Sequence, residues 1–92
     1  MTIIPLITPY NGDTHANLVN IHLAESPAVA HFRLGRFVLP EGEIPPAMPY
    51  NDVVPPAGWS ERDELNTANL NAGVASLTDV VVAIDTNLQA NA

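Results

Sequence analysis

Three histidines are the residues of this chain best suited to metal chemistry. His15, His22 and His31, together with the carboxylates of Asp13 and Glu25, supply donor types that bind transition metals. The histidines are separated by seven and nine residues, and these spacings match no helical or zinc-finger ligand pattern. We therefore predict no metal site and no cofactor. One arrangement stays open, in which a trimer axis gathers three copies of one histidine around an ion.

Paired carboxylates are the other candidates for chemistry. Glu41 and Glu43 lie in a proline-rich segment, and Glu61 and Glu64 lie where a helix is predicted to begin, so solvation and the helix dipole explain both pairs. The sequence has no GxSxG motif, no phosphate-binding glycine loop and no dinucleotide fingerprint. It has no cysteine, which excludes cysteine nucleophiles and thiolate metal sites. We predict that the protein is not an enzyme and has no catalytic residue.

Charge and length restrict the class of partner. Ten acidic residues against three arginines and no lysine give a net charge of −7, which argues against binding nucleic acid or an anionic membrane surface. No apolar run approaches the roughly 20 residues of a membrane span, and the N-terminus, with two prolines and no basic residue, does not resemble a signal peptide. A chain of 92 residues forms one domain with a marginal core. Association with other subunits is therefore expected.

The segment Ser60–Ala92 is predicted to be a helix that positions the rest of the chain. Ser60 can cap its first turn, with Asp63 three residues later as the capping-box partner. Six apolar residues in the segment are spaced 4, 3, 4, 3 and 4, as in a coiled-coil seam: Leu70, Val74, Leu77, Val81, Ile84 and Leu88. Because one helix cannot bury so narrow a seam alone, we predict a homotrimeric coiled coil, with a dimer as second choice. The alternative is one amphipathic helix packed on its own N-terminal domain.

Residues 1–39 are predicted to form an extended arm and a small β element. Asn11-Gly12 has the composition of a tight hairpin turn, which would pair Ile3–Thr8 with the following strand. Asn17–Ala24 and Ala28–Leu39 are the two strand candidates, the second with a bulge at Gly35. The first strand alternates between an apolar and a polar face, made by Val19, Ile21 and Leu23 on one side and by Asn20 and His22 on the other.

Residues 40–59 are predicted to be an extended connector. The segment carries six of the nine prolines, which exclude a helix or a central strand. Its apolar residues are too numerous for a free linker, so we expect them to bind a partner together with the arm. Trp59 could also staple the start of the helix. The predicted partner-binding residues are Ile3, Ile4, Leu6, Ile44, Met48, Tyr50 and Trp59.

The predicted fold class is therefore α+β, in three parts. Residues 1–39 form the extended arm and short β-strands, residues 40–59 the proline-rich connector, and residues 60–92 the C-terminal coiled-coil helix, which makes the protein a trimer. The helix would hold the assembly together, and the arm and connector would bind the partner.

Two stretches carry a resemblance to known proteins. The Asn/Thr/Ala/Val-rich heptads of Leu65–Leu88 and the extended block Pro40–Trp59 resemble small structural proteins of tailed bacteriophage particles, of the head-decoration (cement) or fibre-base type. The resemblance covers about half of the chain. It implies a virion protein, assembled in the host cytoplasm, that binds the major capsid protein or another virion protein and stabilises the shell. The alternatives are a fibre, neck or baseplate adaptor, or a small cytosolic oligomeric binding module.

Overall fold

Among the described residues, one antiparallel sheet of six strands, curled into a half-barrel, packs against one C-terminal helix. The computed structural model describes residues 1–24, 26–70, 74 and 76–90. The elements are β1 (Thr2–Tyr10), β2 (Asp13–His22), β3 (Val29–Phe37), β4 (Tyr50–Asn51), β5 (Trp59–Glu61), β6 (Asn66–Asn69) and α1 (Leu77–Ala90). The strand order is β4-β1-β2-β3-β5. β5 pairs with the last residues of β3, and β6 pairs with the first residues of the same edge.

The predicted hairpin between β1 and β2 is confirmed. Asn11 and Gly12 both have positive φ values, 49° and 84°, as the favoured two-residue hairpin turn requires. Tyr10 and Asp13 are the paired residues that flank the turn. The prediction of an extended arm is wrong, because β1 lies between β2 and β4 inside the sheet.

The bulge lies at a different position from the one predicted. The register runs without a shift through Gly35, which pairs with His15 on β2 and with Glu61 on β5. The irregularity is at Val19, because Leu18 pairs with Phe32 whereas Asn20 pairs with His31. The extra residue in β2 reverses the alternation of its two faces.

This reversal changes which residues of β2 are buried. Ala16 and Leu18 are buried against the helix, and after the bulge Ile21, the partner of Ala30, is on that side but stays 38% exposed. The predicted apolar row is therefore broken, with Val19 exposed to 46%. The core between sheet and helix consists of Ile4, Ala16, Leu18, Ala30, Phe32, Leu34, Ala68, Leu70, Val80, Ala83, Ile84 and Leu88.

The predicted coiled-coil helix from Ser60 is wrong, and with it the predicted fold class. Ser60 lies in β5, Asn66–Asn69 forms β6, and the helix begins at Leu77. Asn, Thr and Asp are weak helix formers, and the second edge of β3 pairs with all four residues of Asn66–Asn69. Strand pairing therefore outweighs the local helix signal.

Ser76 and Asp79 cap the start of the helix. They form the same Ser-x-x-Asp pattern that predicts a helix start at Ser60. The amide of Asp79 donates to Oγ of Ser76 (3.3 Å), and the amide of Ser76 donates to Oδ2 of Asp79 (3.2 Å). These two bonds are the reciprocal pair of a capping box. The Ser-x-x-Asp pattern occurs at both positions, but only the second precedes a helix.

The six residues of the predicted seam are used within the chain itself. Leu70, Ile84 and Leu88 are buried in the core, and Val74, Leu77 and Val81 pack partly buried against it. The buried positions of α1 are Val80, Ala83, Ile84 and Leu88, which form one face of an amphipathic helix. The alternative of a single helix packed on its own N-terminal domain is therefore correct. The trimer itself stays a prediction. The six residues pack within their own chain, so they do not form its predicted interface.

The helix also covers the free edge of β6. Oδ1 of Asn87 accepts from the backbone amide of Asn69, and Nδ2 of Asn87 donates to the Asn69 carbonyl oxygen, both at 3.4 Å. A side-chain amide thus takes the place of a neighbouring strand at this position. Such cover restricts edge-to-edge pairing with other chains.

Candidate functional site

The face of the sheet opposite α1, called here the outer face, carries a cluster of three rings. His15 contacts Phe37 edge-on, with ring centroids 5.0 Å apart, and Phe37 lies 5.2 Å from Trp59. Alternation along β2, β3 and β5 places the three side chains on this side. Trp59 lies half-buried in β5, so the prediction that it staples the start of a helix is wrong. Its binding to a partner stays a prediction.

Polar side chains hold the ring cluster in position. Oε1 of Glu61 accepts from Nδ2 of Asn17 (2.7 Å) and from Nε1 of Trp59 (3.4 Å). Oδ1 of Asn17 in turn accepts from the backbone amide of Thr2 (3.2 Å). The hydrogen bonds connect β1, β2 and β5 across the sheet. We interpret this part of the outer face as a second, smaller core.

His15 belongs to that small core. Its Nδ1 lies 2.7 Å from Oγ1 of Thr14, and burial lowers the pKa of His15 below 6.5. The ring is therefore mainly neutral at pH 7. We assign His15 a packing role.

The other two histidines lie together further along the outer face. His22 pairs with Val29 and His31 pairs with Asn20, so the two imidazoles are diagonal neighbours across β2 and β3. Their ring centroids are 5.2 Å apart, and Nδ1 of His31 is 3.1 Å from Oγ1 of Thr67. The prediction that His22 shares a face with Asn20 is confirmed. Its proximity to His31 was not predicted, although both lie on the polar faces of neighbouring strands.

Within the described ranges, no group of three or more His, Cys, Asp or Glu side chains is placed to hold a metal ion. This finding concerns groups of three or more, so two neighbouring histidines are compatible with it. The arrangement of three histidine copies around a trimer axis stays a prediction.

A polar pocket of about 290 Å³ lies beside the β1–β2 turn. Its most buried group is Asp13, whose Oδ2 accepts from Nε of Arg62 at 2.6 Å. The hydrogen bond to Asp13, and then the charge of that carboxylate, raise the pKa of Arg62. The amide of Arg62 also donates to the Leu34 carbonyl oxygen (2.8 Å), which fixes its backbone against β3. We interpret the pair as a structural link between the turn and the β5–β6 segment.

The seven predicted partner-binding residues have different surroundings. Ile3 and Ile4 are buried on opposite faces of β1, so this chain already covers them. Leu6, Met48, Tyr50 and Trp59 are half-buried. Ile44 differs from all of these, with 85% of its surface exposed.

Two further apolar residues of residues 40–59, called here the connector, are also exposed. They belong to the apolar residues of this segment that the sequence predicts to lie along a partner surface. Val53 is exposed to 86%, and Val54 is exposed as well. Their backbone is fixed: the Val53 amide donates to Oδ1 of Asp52 (2.7 Å), and the Tyr50 hydroxyl donates to the Val54 carbonyl oxygen. The N-terminal ammonium group donates to the Asp52 carbonyl oxygen (2.6 Å). The fold thus holds two apolar side chains out in solvent on an ordered turn.

Comparison with known protein families, with curated proteins and with solved structures finds no match to this chain. Among the described residues, no helix has the length and apolar character needed to cross a membrane. The candidate sites are therefore the connector with its exposed apolar residues and the histidine pair of the outer face.

Proposed function

We propose that the protein is a non-catalytic structural subunit that binds a larger protein assembly along its connector. The observation that carries the proposal is the exposure of Ile44 and Val53, 85% and 86%, on a chain that buries most of its other large apolar side chains by half or more. Covering apolar surface stabilises a complex by about 25 cal/mol per Å². Because the prolines fix the backbone beforehand, little conformational entropy is lost on binding.

The charges beside these residues define the chemistry of the partner. Glu41, Glu43 and Asp52 are exposed on the same connector, in a chain of net charge −7. The complementary surface has an apolar floor that receives Ile44 and Val53 and a rim of Lys or Arg side chains. Such charge pairing mainly raises the association rate and makes it sensitive to salt.

The assembly that we propose is a tailed-bacteriophage particle, in which this chain acts as a decoration protein across capsid subunits. The support is the resemblance of the block Pro40–Trp59 to small virion proteins. The heptads of Leu65–Leu88 give no further support, since these residues form β6 and a helix packed on the sheet. The acidic surface suits a site on the outside of the shell, away from packaged DNA.

Photo-crosslinking from the connector tests this function. A photoreactive amino acid replaces Ile44 or Val53 in turn, and Gln89, exposed near the end of α1, is the control position. We expect both connector positions to crosslink to the same capsid protein and the control position to give no such product. A crosslink to a fibre, neck or baseplate protein would overturn the decoration role in favour of an adaptor. Products with unassembled cytosolic proteins alone would overturn the virion proposal.

Matched charge substitutions provide the second arm. The double variant I44D/V53D would bury two carboxylates in the complex, at several kcal/mol each. We expect its occupancy on the particle to fall at least tenfold, with an unchanged denaturation midpoint because both sites are exposed. Val82→Asp, on an exposed position of α1, should leave occupancy unchanged. Normal occupancy of the double variant would exclude the connector as the binding surface.

A further inference from the structure

We propose that His22 and His31 form a two-histidine site for a divalent transition-metal ion, with zinc as the probe. Imidazole is a common ligand for zinc, copper and nickel. The two side chains lie on one face of the β2–β3 hairpin, although nine residues separate them in the sequence. The proposal is independent of the partner-binding function.

The distance between the rings fits coordination of one ion. A zinc–nitrogen bond of about 2.0–2.1 Å places the ion about 3.2 Å from the ring centroid, so two imidazoles at a tetrahedral angle have centroids about 5.2 Å apart. The centroids of His22 and His31 are 5.2 Å apart. The strand register fixes this separation through the pairs His22–Val29 and Asn20–His31. The backbone spacing thus suits one ion, and binding requires each ring to turn one nitrogen towards it.

Thr67 supplies the outer hydrogen bond that metal-binding histidines usually have. Its Oγ1 lies 3.1 Å from Nδ1 of His31. When the hydroxyl accepts from Nδ1–H, the proton is held on that nitrogen and the lone pair of Nε2 is directed outward. Thr67 lies opposite His31 in the β3–β6 ladder, so the same strand pairing that builds the sheet orients the ring.

The surrounding charges are compatible with a cation. Arg33 follows His31 by two positions on the same face, but its Nε is directed at the Asp63 carbonyl oxygen, 3.5 Å away. The chain as a whole carries a net charge of −7, which favours the approach of a cation. With two protein ligands, the remaining coordination positions belong to water, so we expect an exchangeable ion.

A zinc titration followed by histidine side-chain NMR tests the site. At pH 7.5 we expect the ring signals of His22 and His31 to shift together and those of His15 to stay unchanged. The denaturation midpoint should rise with zinc concentration, because the ion binds the folded chain. Because a metal ion binds the neutral imidazole, the effect should weaken as the pH of the titration is lowered.

Single substitutions complete the test. His22→Gln and His31→Gln should each abolish the zinc-induced shift in midpoint, whereas His15→Gln should retain it. Thr67→Val should weaken binding about tenfold or more, as removal of an outer hydrogen-bond partner does. A zinc response that survives His22→Gln or His31→Gln, or no movement of these rings at millimolar zinc, would overturn the proposal. If His22→Gln or His31→Gln fails to fold, the zinc titration of the unsubstituted protein by itself decides whether the two histidines bind the ion.

Discussion

The indole ring of Trp59 lies directly on the backbone of Gly35. A β-carbon added at Gly35 would be 2.5 Å from Cη2 and 2.6 Å from Cζ2 of the ring, and 2.7 Å from the Ser60 carbonyl oxygen. The missing side chain therefore makes room for the ring cluster of the outer face. It also explains why β3 passes through a glycine without a bulge.

Substitution of Gly35 should be costly for a steric reason. We expect Gly35→Ala to lower the free energy of unfolding by about 3 kcal/mol, because one of the clashing atoms belongs to the backbone of β5. Gly42→Ala is the control: no atom lies within 4 Å of its added β-carbon, and its φ of 87° alone should cost about 1 kcal/mol. Urea denaturation measures both. Equal losses for the two variants would contradict the packing of Trp59 on Gly35.

Stability should fall on mild acidification through His15. Because burial lowers the pKa of His15, the unfolded chain takes up this proton at a higher pH than the folded chain does. The contribution is thus fully present above about pH 6.5, the ordinary histidine value, and is lost as the pH falls towards the lowered pKa. Urea midpoints at pH 7.5 and 5.5 should differ more for the unchanged protein than for His15→Gln. The same difference in both proteins would show that His15 does not contribute.

Ile84 and Val82 lie two residues apart on α1, and their substitution by alanine should destabilise the fold to very different extents. Ile84 is fully buried in the chain's own core, and Val82 is 50% exposed. We expect Ile84→Ala to cost about 2–5 kcal/mol and Val82→Ala less than about 0.5 kcal/mol. Urea denaturation measures both losses. A loss for Ile84→Ala no greater than that for Val82→Ala would show that this face of α1 is not packed on the sheet.

Local signals with one strong cause were predicted correctly from the sequence. Asn11-Gly12 specifies its own turn, because both residues tolerate positive φ. The prolines of residues 40–59 exclude a helix or a central strand, and that range holds only the short edge strand β4 and the first residue of β5. In both segments the backbone conformation depends on residues within the segment itself.

Signals that depend on distant partners were misjudged. Ser60 and Ser76 begin the same Ser-x-x-Asp pattern, and the choice between them depends on whether β3 has a free edge to accept β6. The seam spacing is equally compatible with a partner helix and with a sheet of the same chain. His22 and His31 could be brought together only by knowing the strand register, which a bulge at Val19 sets.

Hydrogen exchange of the free chain and of the chain in its native particle tests the central claim, that the connector binds a larger assembly. Outside β4, which pairs with β1, amides of the connector make few backbone hydrogen bonds within the described chain, among them Glu43 to Pro40 (3.1 Å) and Trp59 to Pro56 (3.2 Å), and should exchange quickly when it is free. We predict that the amides between Ile44 and Val54 outside β4 become strongly protected in the particle, while those of α1 exchange alike in both states. Unchanged exchange in the connector, with new protection confined to α1, would contradict the account.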